Sequence, residues 1–170
     1  MAERIIKGRV IKLGDYVNTD VIAPGRWHRE GLDVLRLHTM EAIRPNFYKE
    51  LQAGDIIVAG KNFGCGSHRE SATAIMKVLG ISAIVADSVA RLYYRNGIAF
   101  GIPIFGINRI SQIFEEGDEM EIVMGPESVW VRNVGSGAKL SAPPIPDTMA
   151  QIMEAGGVYE LLKKRIAERA

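Results

Sequence analysis

Two rhythms of apolar positions run along this chain, a period of two where strands are expected and a period near 3.6 where helices are. Arg4 to Leu13 alternates as an exposed-edge strand would, and Ile56 to Ala59 and Ala83 to Ala86 are short, wholly apolar runs of the kind buried in a sheet. Helical spacing covers Leu32 to Ile43, stopping before Pro45, and returns from Ala72 to Leu79 in a helix expected to begin near His68. A further helix is expected from Ser88, ended or kinked at Gly97, followed by a strand over Pro103 to Ile107. Glu119 to Met124 and Ser128 to Arg132 read as a hairpin across Gly125-Pro126, and Gly135-Ser136-Gly137 as a turn. Pro143, Pro144 and Pro146 make a stiff connector to a helix ending near Glu154. Gly156-Gly157 separates it from a last amphipathic helix, where Lys163-Lys164-Arg165 complements the negative end of the helix dipole. Strands alternating with helices point to an α/β fold, and no internal repeat or long linker divides residues 1–170, so one domain is expected.

Composition narrows the class. The chain has 170 residues, 47% of them hydrophobic, enough for a substantial core. No apolar run has the length of a membrane span and no signal-peptide core opens the chain, so a cytoplasmic protein is expected. A net charge of +1, with acidic and basic residues interspersed and no basic aromatic surface, argues against a nucleic-acid partner. The histidines at 28, 38 and 68 and the single Cys65 show no metal-ligand spacing.

The densest chemistry lies in Asn62-Phe63-Gly64-Cys65-Gly66-Ser67-His68-Arg69-Glu70, between an expected strand and an expected helix. Amides and the positive end of a helix dipole would point out of such a turn, with Arg69 beside them, and a carboxylate would bind there. Ser67 with Glu70 three residues on also forms a capping-box pattern, which satisfies helix amides without any ligand. The glycines lack the lysine and spacing of a phosphate loop and do not match a dinucleotide fingerprint. The stretch 14–29 is a second candidate. Asp15, Asn18, Thr19 and Asp20 are turn formers that can bond their own backbone, yet Arg26, Trp27, His28 and Arg29 follow in succession on what reads as a 16-residue loop.

Asn62 to Glu70 resembles the signature of the small subunits of 3-isopropylmalate dehydratase and homoaconitase, in the aconitase superfamily, whose usual form reads NFGCGSSRE. Four further segments agree in order and spacing: IIKGRVIKLGDYVNTDVIAPG at 5–25, AGDIIVAGKNFGCG at 53–66, ADSVARLYYRNGIAFGIP at 86–103 and EAGGVYELLKKR at 154–165. The resemblance covers nearly the whole chain. It implies an aconitase-type swivelling domain, three layers in β/β/α order with a mixed sheet. It also implies a hydro-lyase that isomerises a hydroxy di- or tricarboxylic acid by dehydration and rehydration.

The same resemblance assigns roles. Ser67 matches the family's catalytic base, acting as an alkoxide, and Arg69 a ligand of the substrate carboxylate. His68 stands where the family has a second serine, and can donate to substrate or act as a general acid. Ser71 stands where many relatives have Gln or His. Residues after Pro24-Gly25 read the variable group of the substrate, which makes Arg26, Trp27 and Arg29 substrate-binding candidates. Arg29 aligns with the carboxylate-reading arginine of homoaconitase-type subunits, while Trp27 and His28 replace the common tyrosine-leucine pair. Arg91 and Arg95, four residues apart, share a helix face and read as structural support for the pocket. Dehydration in this superfamily uses a 4Fe-4S cluster held by several thiolates, which one cysteine cannot supply, so no metal or cofactor is expected on this chain and the cluster is expected on a large partner subunit. Cys65 then reads as a small turn residue. An apolar surface meant for that partner leaves room for self-association of the isolated chain. The substrate stays open among 3-isopropylmalate, homocitrate and 2,3-dimethylmalate, and a non-catalytic binding or regulatory module of the same fold is the alternative from another class.

Overall fold

The computed structural model describes residues 3–169; Met1, Ala2 and Ala170 lie outside the described residues. Seven strands form one mixed sheet: β1 (Arg4–Lys12), β2 (Ile56–Ala59), β3 (Ala83–Ala86), β4 (Ile104–Gly106), β5 (Glu119–Met124), β6 (Val129–Asn133) and β7 (Lys139–Ala142), in the order β4-β3-β2-β1-β5-β6-β7. Among the described residues seven α-helices accompany them: α1 (Thr19–Ile22), α2 (Leu32–Leu35), α3 (Phe47–Glu50), α4 (Ser71–Val78), α5 (Arg91–Phe100), α6 (Asp147–Glu154) and α7 (Val158–Ala167).

β1 is the hinge of the architecture. Its first part pairs antiparallel with β5, from Arg4↔Met124 to Arg9↔Glu119, and its last residues pair parallel with β2, from Val10↔Ile56 to Lys12↔Val58. Side chains alternating along the parallel strands therefore feed two cores. Ile11, Ile57, Ala59, Ile84 and Ala86 pack with Ile75 and Met76 of α4 and Tyr93 of α5. Val10, Ile56, Val58, Ala83 and Val85 pack instead against Met120, Ile122 and Met124 of β5 and Val129 and Val131 of β6. Helices, parallel half and antiparallel half thus stack as three layers. Burial of both faces explains why β2 and β3 are unbroken apolar runs.

Several expectations are corrected. β1 is central, not an exposed edge; its polar positions meet charges from other segments, Lys7 with Glu121 at 2.8 Å, Arg9 with Asp55 at 2.7 Å and Lys12 with Glu115 at 2.7 Å. The stretch 14–29 is not irregular throughout, since it contains α1 and most of the 3-10 turn Gly25–Glu30. The helix expected over 32–43 breaks after α2 into the 3-10 turn Arg36–His38 and further turns, with Met40 at a left-handed φ of 59°. The helix expected from Ser88 begins at Arg91, and Gly97 neither ends nor kinks it. Gly97 lies buried where a Cβ would collide with the Ile104 side chain, which lets α5 press onto β4. β7 was not expected; it follows the 134–136 turn and pairs with β6.

Candidate functional site

Polar loops gather at the carboxyl ends of β1, β2 and β3, where ligands commonly bind in sheets of this kind. The loops after β1 and β2 continue the pairing of their strands. Gly60 N–H donates to Gly14 at 3.2 Å, Tyr16 to Lys61 at 2.7 Å, Gly64 to Val17 at 2.8 Å and Thr19 to Cys65 at 2.8 Å. Phe63 and Ser88 tie in the loop after β3 at 3.0 Å. This lacing sets Thr19 and Asp20 against Ser67 and Arg69. Asn18 caps α1, its side chain accepting from Val21 N–H at 2.8 Å.

Ser67 does not cap α4. The helix begins at Ser71 with Glu70 as its cap residue and no side-chain cap bond, so the capping box is unmade and Arg69 lies before the first helical turn. The Ser67 hydroxyl is instead a focus of donors. Arg69 Nε donates to its Oγ at 2.7 Å, Arg69 backbone N–H at 3.2 Å and the Thr19 hydroxyl at 3.4 Å. The same Thr19 oxygen, buried, accepts the Ser67 backbone N–H at 3.0 Å. A neutral hydroxyl offers two lone pairs, whereas an alkoxide offers three. The two Arg69 N–H groups fill the lone pairs of the neutral form, whose own hydrogen is free to turn toward Thr19 Oγ, and Arg69 sets its positive charge beside the oxygen.

The Arg69 guanidinium is held on all sides. Nη2 pairs with Asp20, Nη1 lies 2.9 Å from His28 Nε2, and Ser71 Oγ lies 2.9 Å from His28 Nδ1. Of its five N–H groups, these contacts and the one to Ser67 leave one on each terminal nitrogen for a further acceptor. The Arg69 side chain keeps 32% of its surface exposed, so a ligand can reach it.

The remaining candidates are placed apart. His68 is exposed; its carbonyl accepts from Asn96 Nδ2 at 3.0 Å, and its ring makes no hydrogen bond among the described residues. Arg26 pairs with Glu41 and lies over Trp27, 5.6 Å from the ring centroid. Trp27 stacks on His38 at 3.9 Å, and His38 Nδ1 lies 2.7 Å from Glu41. The hydrogen bond from His38, with those from Arg26 and Trp27, holds the Glu41 carboxyl below the usual carboxylate range. Arg26, His38 and Glu41 line an open groove of about 910 Å³ that also reaches Asp20. Arg29 is exposed on the same 3-10 turn, without a hydrogen-bond or ion-pair partner among the described residues. Arg91 and Arg95 are exposed as well, and α5 meets the turn through Asn96 and through Tyr93, whose ring lies edge-on to Phe63.

Thr19, Asp20 and His28 complete the cluster, and sequence reasoning gave the first two only a turn-forming role. The available signal was their proximity to Arg26–Arg29 on a long polar stretch. Cys65 Sγ lies 3.7 Å from the Tyr16 carbonyl oxygen. Among the described residues no three His, Cys, Asp or Glu side chains gather as a metal site, so the donors present do not fit an iron–sulfur cluster. No helix among them is long and apolar enough to cross a membrane.

Residues 37–105 match the aconitase C-terminal domain. The chain is 44% identical to 3-isopropylmalate dehydratase small subunit 1 of Thermotoga maritima over 94% of this chain and 96% of that one. It is also 44% identical to the methanogen homoaconitase small subunit of Methanothermobacter thermautotrophicus, over 96% and 94%. The chain belongs to the 3-isopropylmalate dehydratase small-subunit family. A crystal structure of 3-isopropylmalate dehydratase from Methanocaldococcus jannaschii superposes with a TM-score of 0.86 at 39% identity, covering 98% of both chains. Within this family overall identity does not separate the named activities, since a dehydratase subunit and a homoaconitase subunit stand at the same 44%.

Proposed function

We propose that this chain is the small subunit of a cytoplasmic, heteromeric hydro-lyase of the 3-isopropylmalate dehydratase type, completing the active site of a large subunit that carries the 4Fe-4S cluster. The observation that carries the reading is the Ser67 oxygen, on which Arg69 Nε, Arg69 N–H and the Thr19 hydroxyl converge. Arg69 takes the substrate carboxylate through its two remaining N–H groups. That places the adjacent carbon beside Ser67, which removes its proton as an alkoxide. The C–H electron pair becomes the double bond as hydroxyl leaves the neighbouring carbon, where the cluster on the large subunit would supply the Lewis acid that accepts it; on rehydration hydroxyl adds to the carbon that lost its proton and Ser67 returns the proton to the carbon that lost its hydroxyl. Serine is a weak base in water; the donors around Oγ stabilise its anion where the reaction needs it. His68, exposed beside the turn, is available to donate to the substrate. Arg26 and Trp27 hold the reading turn in place.

Reconstitution tests this. The purified chain, without brown iron–sulfur absorption, should be inactive alone and should isomerise 3-isopropylmalate once mixed with its large subunit. Robust turnover by the isolated chain, or none on any hydroxyacid by the assembled complex, would refute it.

Arg29 supports a second reading, homoaconitase, because an exposed arginine on the reading turn suits a further substrate carboxylate. In the assembled enzyme Arg29→Ala should then lower kcat/KM for a homocitrate-like substrate by roughly 2 to 5 kcal/mol and leave an isopropylmalate-like substrate unharmed. An unchanged ratio between the two substrates removes Arg29 from substrate reading.

A further inference from the structure

Arg69 is oriented by a histidine whose own proton is placed by a serine. We infer that His28 and Ser71 are a positioning pair for Arg69, with Ser71 Oγ accepting His28 Nδ1–H and so presenting His28 Nε2 as a lone-pair acceptor to the guanidinium. The inference rests on the reading of Arg69 as the ligand of the substrate carboxylate.

A guanidinium only donates, so the 2.9 Å approach of Arg69 Nη1 requires an unprotonated Nε2. The neutral ring then carries its single hydrogen on Nδ1, and Ser71 Oγ, 2.9 Å away, is its acceptor. The opposite tautomer would set N–H against N–H. The pair joins separate elements, because His28 comes from the 3-10 turn after β1 and Ser71 is the first residue of α4. The turn that presents His28 is itself anchored, since Glu41 holds Arg26 and His38, and His38 stacks on Trp27. Asp20 holds the other terminal nitrogen. Between them, His28 and Asp20 decide where the two remaining N–H groups point, and so where a carboxylate sits relative to Ser67.

The first measurement needs only the isolated chain. Long-range proton–nitrogen NMR of the labelled protein, with His28 assigned by its loss in His28→Gln, should show the Nδ1–H tautomer. Ser71→Ala should move His28 toward the Nε2–H form. In the assembled enzyme His28→Gln, whose amide oxygen can replace the Nε2 acceptor, should keep kcat/KM within a few-fold of wild type. His28→Leu should raise KM roughly tenfold, the worth of one hydrogen bond to a charged group, with kcat less affected. An Nε2–H tautomer in the wild type, or equal effects of Gln and Leu, overturns the pair. If Arg69→Lys leaves KM unchanged while the tautomer is as stated, the reading of Arg69 has failed and the pairing has not.

Discussion

The two halves of the sheet share β1 but end differently. In the antiparallel half the strands return through tight turns whose polar groups satisfy one another. Gly125 N–H donates to Ser128, and the Asn133 side chain takes the amides of Gly135 and Ser136 at 3.0 Å while its Nδ2 reaches Asp118 and Ile113. In the parallel half the strands open into loops laced by backbone bonds, and there Arg69 keeps N–H groups to spare while Ser67 Oγ collects donors. The turns of the antiparallel half spend their polar groups on the fold, and the loops of the parallel half hold some in reserve. Unspent hydrogen-bonding capacity on a rigid frame is what distinguishes a site from a scaffold.

The largest effect on stability should come from the scaffold. Ile122 is fully buried between the halves, so Ile122→Ala should cost roughly 2 to 5 kcal/mol in denaturant unfolding. The folded fraction, assembled with the large subunit, should keep its kcat. A loss of kcat equal to that of a site variant would erase the distinction between the halves.

Gly64→Ala should come next, and it should damage both properties. Gly64 has φ of 74°, and a Cβ there would overlap the Tyr93 ring. Backbone strain alone costs roughly 1 to 3 kcal/mol. Because this residue sits in the turn that carries Ser67, activity should fall with stability, as parallel unfolding and turnover assays would record. Intact activity would show that the turn does not set the position of Ser67.

A smaller effect is expected on acidification. The Glu41 carboxyl is held below its ordinary value of 4.5, first by the hydrogen bond from His38. The folded state therefore takes up this proton less readily than the unfolded chain does. The stabilisation is complete above pH 4.5 and is lost as pH falls through the lower folded value. In a Trp130→Phe background, Trp27 fluorescence should change through that acid range and the step should vanish in Glu41→Gln. A step that survives the substitution would assign the change to another group.

Much of this was legible in the sequence where the determinant is local. Ile56–Ala59 and Ala83–Ala86 were read to the residue because strands buried on both faces have no polar position to blur them. The hairpin over β5 and β6 announced itself through Gly125-Pro126. β1 misled because its alternation of charge resembles a solvent-facing edge, while the partners Glu121, Asp55 and Glu115 come from distant segments. The site divides likewise. Ser67 and Arg69 share one short motif, whereas Thr19, Asp20 and His28 reach it across 48, 49 and 41 residues of sequence. A capping box was written in Ser67 and Glu70, but the fold draws Ser67 toward Arg69 and Thr19 and starts the helix without it.

That substitution of roles makes Ser67→Ala the most direct test. The measurement pairs the unfolding free energy of the isolated chain with kcat of the complex assembled with the large subunit. Because Ser67 caps no helix, stability should change by no more than about 1 kcal/mol, the usual worth of a hydrogen bond, while turnover should fall by several orders of magnitude. Turnover that survives, with only the stability reduced, would contradict the account and leave Ser67 as part of the scaffold.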